Sequence, residues 1–231
     1  MTKSQFVSRS HRQLESIIQP LENGDRLTRL EFERRYHAMP DIKKAELVEG
    51  IVYIGSPVPM TQHGEPHASV MGWLLIYKAS TPGIQLGDNC TVKLDLDNQL
   101  QPDALLRIQS GQSTISEDGY VEGAPELIVE VAASTVSIDV HEKLKVYRRN
   151  QVQEYLIWRF EDNALDWFQL RNGEYVLLQP DETGILKSEV FPGLWLNSEA
   201  LLTGNLIKVI EIVQQGIAAA EHQSFVQNLL K

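Results

Sequence analysis

The sequence predicts a mixed α/β fold: a central mixed β-sheet flanked by helices, with a helical extension at the C-terminal end. Three observations carry this expectation. Glu126–Ala133, Asp139–Arg149 and Val152–Phe160 read as strand, helix and strand, the dimensions of a βαβ unit. Asn172-Gly173 stands between two strand-like runs, Leu165–Leu170 and Glu174–Leu178, and supplies the residue pair that a tight hairpin turn favours. From about Ser198 to Leu230 the pattern is helical, with Leu206, Val209, Ile210, Val213 and Ile217 on one stripe.

The remaining elements follow from local pattern. Residues 1–26 are polar except for a short run, Leu14, Ile17 and Ile18, which Pro20 stops. Thr28 is a candidate N-cap for a helix reaching Met39, because Glu31 stands three residues on and Pro40 ends the run. Glu46–Ile54, with a glycine near its centre, reads as a strand pair or a bulged strand. Val70, Trp73, Leu74 and Tyr77 give Pro66–Lys78 helical spacing. Ile84–Leu96 alternates as a half-buried strand does, and Leu100–Ile108 is the next strand. Gln109–Gly123 is expected to be a polar loop, and Phe191-Pro192-Gly193 another. Trp158 and Trp167 fall in strand patterns and are expected in the core.

Composition narrows the function classes. A chain of 231 residues, 42% hydrophobic, can bury one sizeable core, so a single domain with terminal additions is expected. No stretch approaches the roughly 20 apolar residues that span a bilayer, so no membrane partner is expected. The N-terminal segment lacks the apolar run of a secretory signal. Cys90 is alone, which leaves no internal disulfide or thiolate cluster and points to a reducing, cytoplasmic setting. A net charge of −10 argues against broad electrostatic adhesion to nucleic acid, though not against a small basic patch. Lys145, Arg148, Arg149 and the Lys43-Lys44 pair are the candidates for such a patch, with a solvated helix face as the simpler reading of the first three. No G-x-S-x-G elbow, P-loop or dinucleotide fingerprint occurs. His63 and His67 lie four apart, but Pro66 disfavours a regular helix there and no glutamate follows His63 as in a zincin. His67 is expected to be a capping or core histidine, with a place lining a site as the lesser reading.

Three charged residues sit in apolar surroundings: Asp103, Glu130 and Lys143. A lone buried carboxylate is expensive, so such groups are paired, hydrogen-bonded or metal-bound. Strand alternation places Glu126, Ile128, Glu130 and Ala132 on one face. On a regular helix Lys143 falls within roughly 50° of the stripe formed by Val140, Leu144 and Tyr147, whereas Lys145 points about 150° away. Lys143 is therefore expected to face the sheet, with Asp139 one turn earlier as a partner or merely an i,i+4 neighbour. Two carboxylates and one lysine on adjacent elements suit a divalent-cation site.

The ordered set Glu46-Leu47-Val48-Glu49-Gly50, Pro102-Asp103, Glu130-Val131, Lys143, Tyr147 and Val152-Gln153-Glu154-Tyr155 resembles the Uma2 family. Phe191-Pro192-Gly193-Leu194-Trp195-Leu196 and Glu221-His222 through Phe225 are similar to its cyanobacterial members. The resemblance implies a restriction-endonuclease-like domain of the PD-(D/E)XK kind at residues 28–200, between an extension at 1–27 and a helical tail at 201–231. It implies an endonuclease acting on nucleic acid, with DNA the expected substrate, and a homodimer. Asp103, Glu130, the Val131 carbonyl and Glu46 would then hold Mg²⁺ or Mn²⁺, ions that prefer hard oxygen donors. Lys143 would act beside them in phosphodiester hydrolysis. The sequence departs from the usual motif in placing Ala132 where the lysine commonly stands, so Lys143 is its migrated substitute. The following loop, Ala132-Ala133-Ser134-Thr135, replaces a Ser-Pro-Ser-Thr-like segment. A catalytically inactive nuclease-fold protein serving as a binding or structural partner is the alternative. A metal-free carboxylate-pair glycosidase ranks far behind, because it gives Lys143 no role.

Overall fold

The computed structural model describes residues 18–55, 57, 59–133 and 138–231. The run of Leu14 and Ile17 and the Ser134-Thr135 loop lie outside the described residues. Helix α1 (Arg29–His37) follows Thr28, whose side chain makes no capping bond. Glu31, the expected partner of a capping box, instead binds Arg34 and Arg35, each at 2.7 Å. Glu46–Ile54 forms a hairpin of β1 (Ala45–Val48) and β2 (Ile51–Ile54). Its turn, Glu49-Gly50, has φ of 52° and 72°, the left-handed pair that matches strand twist in a two-residue hairpin. A π-helical turn (Met60–Gly64) leads into α2 (Glu65–Ala79). Pro66 is tolerated because it lies in the first turn, where fewer backbone donors have helical partners.

The two long strands expected next are each broken. Ile84–Leu96 gives β3 (Ile84–Asp88) and β4 (Val92–Lys93). Leu100–Ile108 gives β5 (Gln99–Leu100) and β6 (Ala104–Ile108), so Asp103 precedes a strand instead of lying within one. The expected loop at Gln109–Gly123 contains a short hairpin, β7 (Thr114–Ile115) and β8 (Val121–Glu122). The βαβ unit is present as β9 (Leu127–Ala132), a π-helical turn (Ile138–Lys143), α3 (Leu144–Arg149) and β10 (Glu154–Arg159). Strands β11 (Ala164–Arg171) and β12 (Glu174–Leu177) pair across Asn172-Gly173, again with both φ positive. A small ribbon, β13 (Ile185–Lys187) with β14 (Trp195–Asn197), precedes the tail. The tail is three helices, α4 (Ser198–Leu202), α5 (Leu206–Ala218) and α6 (Ala220–Leu229); Asn197 and Asn205 cap the first two.

Instead of one central sheet there are two six-stranded ones, ordered β2-β1-β5-β4-β8-β7 and β12-β11-β10-β9-β6-β3. Both are mixed, through the parallel pairs β4–β8 and β9–β10. The breaks explain the division. At Asn89–Thr91 and at Gln101–Asp103 the chain passes between sheets, and the two crossings meet where the Asn89 amide donates to the Asp103 carbonyl at 3.2 Å. Pro102, having no N–H, cannot continue the ladder.

Strand β9 is buried along its whole length, as a strand covered on both faces must be. Leu127, Val129 and Val131 enter a core with Trp73, Leu74 and Tyr77 of α2 and Val209 and Val213 of α5. Ile128 and Ala132 point the other way, into a core with Val146 and Tyr147 of α3 and Val92 and Leu100 of the first sheet. Alternation puts Glu130 on this second face, between the sheets. The tail's buried stripe is Val209, Ile212, Val213 and Gly216, whereas Leu206 and Ile210 of the expected stripe are exposed. No helix among the described residues is long and apolar enough to cross a membrane.

Candidate functional site

Glu46 from β1, Asp103 from the crossing before β6, Glu130 from β9, and Asp139 and Lys143 from the second π-helical turn meet between the sheets, all of them buried. The register of β6 on β9 ends at Ala104 opposite Val129, and one further step sets Asp103 beside Glu130. Asp103 Oδ2 accepts the Val131 amide at 2.8 Å and lies 3.2 Å from His63 Nε2. Its Oδ1 lies 3.5 Å from Lys44 Nζ. The Val131 side chain packs in the α2 core while its amide fixes Asp103, which ties the metal-site candidate to the backbone of β9.

Lys143 is the hub of the cluster. Its ammonium donates to Glu130 Oε1 at 2.9 Å and lies 3.0 Å from Glu46 Oε2 and 3.2 Å from Asp139 Oδ1. Tyr147 adds a hydrogen bond to Glu130 Oε1 at 3.0 Å, and the Gln101 amide donates to Glu46 Oε1 at 2.7 Å. The expected inward aim of Lys143 and its pairing with Asp139 are thus met, although the backbone there is a π-helical turn and not the regular helix assumed. Wide turns of this kind concentrate at functional sites. Lys145 points outward and pairs with Glu142. Arg148 and Arg149 pair with Glu174 and with Glu49 and Asp95, and so are not part of the cluster.

The electrostatics follow from burial and from charge count. Burial raises the Glu130 carboxyl well above the usual carboxylate range, and Asp139, Asp103 and Glu46 push the same way against the attraction of Lys143. Burial also opposes charge on Asp103, but the His63 hydrogen bond, the Lys44 charge and the Val131 amide overcome it and hold this carboxyl below its ordinary value. Desolvation opposes the Lys143 ammonium, and Glu130, Glu46 and Asp139 more than offset it, so its proton is held tightly. Tyr147 is kept neutral by burial and by the adjacent Glu130.

Two contributors escaped the sequence reading. His63 reaches Asp103 because the π-helical turn carries it inward, a geometry that a regular helix through this stretch does not give. Lys44, a candidate for a small basic patch by sequence, reaches Asp103 from just before β1. His67, expected as a cap or core residue, lies 2.9 Å from the Asp103 carbonyl and 3.3 Å from Asp88 Oδ1. A histidine at the start of a helix carries no signal of such a contact from spacing alone until the crossing is known.

In kind, the donor set suits a hard divalent cation: Asp103, Glu46 and Glu130 offer carboxylate oxygens, and four buried carboxylates face two lysines. In arrangement, no three His, Cys, Asp or Glu side chains among the described residues are poised around a common metal position. The reason is visible: Lys143 occupies the point on which Glu46 and Glu130 converge. A cation could be held by Asp103 and Glu130 once that ammonium gives way.

The profile of the Uma2 family, described as "Putative restriction endonuclease", matches residues 30–199. No curated protein matches this chain. Among solved structures, the fold is similar to that of a protein from Anabaena variabilis described as "a putative nuclease belonging to DUF820". The likeness has a TM-score of 0.56 at 15% identity and covers 74% of this chain and 96% of the other. An identity that low speaks for the fold, whereas the profile covers most of the chain: this protein belongs to the Uma2 family.

Proposed function

We infer that this protein is a metal-dependent endonuclease that hydrolyses phosphodiester bonds of nucleic acid, DNA above all. The observation that carries the reading is the convergence of Asp103, Glu130 and Lys143, with Glu46, from separate elements into one buried cluster. Asp103 and Glu130, with the Val131 carbonyl and Glu46, are the residues that would hold Mg²⁺ or Mn²⁺. Such an ion, when bound, lowers the pKa of a coordinated water and neutralises charge on a phosphate. The protein's own part is positional: the Val131 amide and His63 fix the Asp103 rotamer, and Tyr147 fixes Glu130. Lys143, released from Glu130, would place its ammonium against the developing charge on the phosphoryl oxygens, where a buried cation acts most strongly. A homodimer would set two such sites against two strands.

One observation favours a second reading, a catalytically inactive nuclease-fold protein that serves as a binding or structural partner. The Lys143 ammonium already satisfies Glu46, Glu130 and Asp139, which is how a purely structural cluster would look. Calorimetric titration of Mn²⁺ into the wild type and into Asp103→Ala/Glu130→Ala separates the two. We expect binding in the wild type and its loss in a variant whose circular dichroism is unchanged. Absence of binding in the wild type would sink the assigned ligands and leave the structural reading.

A further inference from the structure

We propose that Lys44 is a substrate-contacting residue of this site: its ammonium, at the mouth of the cluster, takes the phosphate group of a phosphodiester before the buried Lys143 can. The step deepens the proposed nuclease reading and rests on it.

The exposure of the side chains shows which way the cluster opens. Asp103, Glu130, Asp139 and Lys143 are each no more than 5% exposed, whereas Lys44 is 34% exposed and His63 15%. Both of the more exposed groups sit on Asp103, Lys44 at 3.5 Å from Oδ1 and His63 at 3.2 Å from Oδ2. A phosphodiester arriving from solvent therefore meets this side first. The carboxylates alone would repel it, and Lys44 is the cation that stands between them and solvent.

The two lysines also differ in how firmly they are held. Lys143 has three carboxylates at 2.9 to 3.2 Å. Among the described residues Lys44 has one, at 3.5 Å. Lys44 can turn toward an incoming phosphate and leave Asp103 still bound by the Val131 amide and His63, whereas Lys143 must first give up Glu130. Burial opposes charge on Lys44, but Glu46, Glu130 and Asp103 more than offset it, so the ammonium stays protonated.

The backbone aims the side chain. Lys44 stands two residues before Glu46, and strand alternation puts both on one face. Its carbonyl accepts the Gly55 amide at 2.8 Å, which carries the β1–β2 hairpin one step past Ala45 and Ile54. A Cβ at Gly55 would lie 3.1 Å from Lys44 Cβ and 3.3 Å from its Cγ. The glycine leaves room for the lysine stem.

The test uses the full chain in EDTA, so that neither metal nor cleavage enters. Binding of a labelled DNA duplex is followed against salt concentration for the wild type, Lys44→Met, Lys44→Arg and Lys145→Met, with circular dichroism as the check of folding. A lysine that neutralises one phosphate contributes about one to the log–log salt slope. We expect Lys44→Met to weaken binding and bring the slope from about −2 to about −1, and Lys44→Arg to keep it. Lys145→Met removes the same charge from an outward side chain paired with Glu142, and should leave the slope unchanged. A second arm needs only the wild type. Reductive methylation read by mass spectrometry should modify Lys44 in the free protein and spare it at saturating duplex, with Lys145 modified equally in both. A slope that Lys44→Met leaves unchanged, an equal loss in Lys145→Met, methylation of Lys44 that duplex does not slow, or no duplex binding at all would each overturn the contact. A lysine that serves only as counter-ion to Asp103 gives the first and third of these. Failure of the nuclease reading is seen separately, as absent Mn²⁺ binding in a protein whose duplex affinity still depends on Lys44.

Discussion

Individual buried charges set much of this protein's chemistry. Lys143 is tolerated in the interior because three carboxylates surround it, and removing one partner of such a pair leaves an uncompensated charge. Glu154 solves the same problem without a cation. It accepts the Glu189 and Val190 amides on one oxygen and Ser188 and Trp167 on the other. Burial still dominates and pushes its carboxyl from 4.5 up to about 7. The sign follows from linkage: between pH 4.5 and 7 the folded protein keeps a proton that the unfolded chain has lost. Glu154 therefore contributes most stability below pH 4.5 and loses that contribution as pH rises to 7. The gap between 4.5 and about 7 corresponds to a change on the order of 3 kcal/mol. Glu154→Gln, which can keep its oxygen on the two amides, has no proton to exchange. Urea unfolding across this pH range should show the decline in the wild type and lose this component in the variant. Parallel curves would refute the assignment.

At the scale of elements, the packing of α5 depends on the absence of a side chain. Gly216 faces the Phe191-Pro192-Gly193 loop so closely that a Cβ there would stand 2.2 Å from the Gly193 carbonyl oxygen and 2.8 Å from Trp195. Helices usually avoid glycine in their interiors, and here close approach is the reason for it. Val209 and Val213 on the same face anchor the helix against α2. Gly216→Ala should lower stability by about 1–3 kcal/mol, the usual result of forcing a methyl into a filled space, seen as a lower urea midpoint at an unchanged slope. An unchanged or higher midpoint would mean that α5 shifts freely and is not held by this contact. The two π-helical turns are the other element-scale feature. One brings His63 to Asp103 and the other brings Lys143 to Glu130, so both irregular backbones serve the same cluster.

For the whole molecule, the net charge of −10 governs how nucleic acid can approach. Many of the surface arginines and lysines are already paired, among them Arg34, Lys145, Arg148, Arg149 and Arg171. Among the described residues few surface cations are left unpaired to displace counterions from a phosphate backbone, and the two lysines at the candidate ligands, Lys44 and Lys143, are themselves paired with carboxylates. Binding of a labelled duplex, followed by fluorescence anisotropy in EDTA, should weaken only gently with salt. The expected log–log slope is about −2, the value for roughly two neutralised phosphates. A slope steeper than about −4 would demand a broad basic face that the described surface does not offer.

The sequence by itself determined the mixed α/β class, the βαβ unit at 126–160, the Asn172-Gly173 hairpin, the inward aim of Lys143 and the family. Each rests on local periodicity, on turn chemistry or on an ordered motif, signals that short stretches of chain carry whole. Tertiary structure alone decided that the strand runs around Asp103 break and divide the strands between two sheets. It alone decided that His63 and Lys44 reach Asp103 and that Lys143 closes the cluster. These depend on which distant segments meet across the crossings at Asn89–Thr91 and Gln101–Asp103, and hydrophobic spacing along one element is blind to its partners.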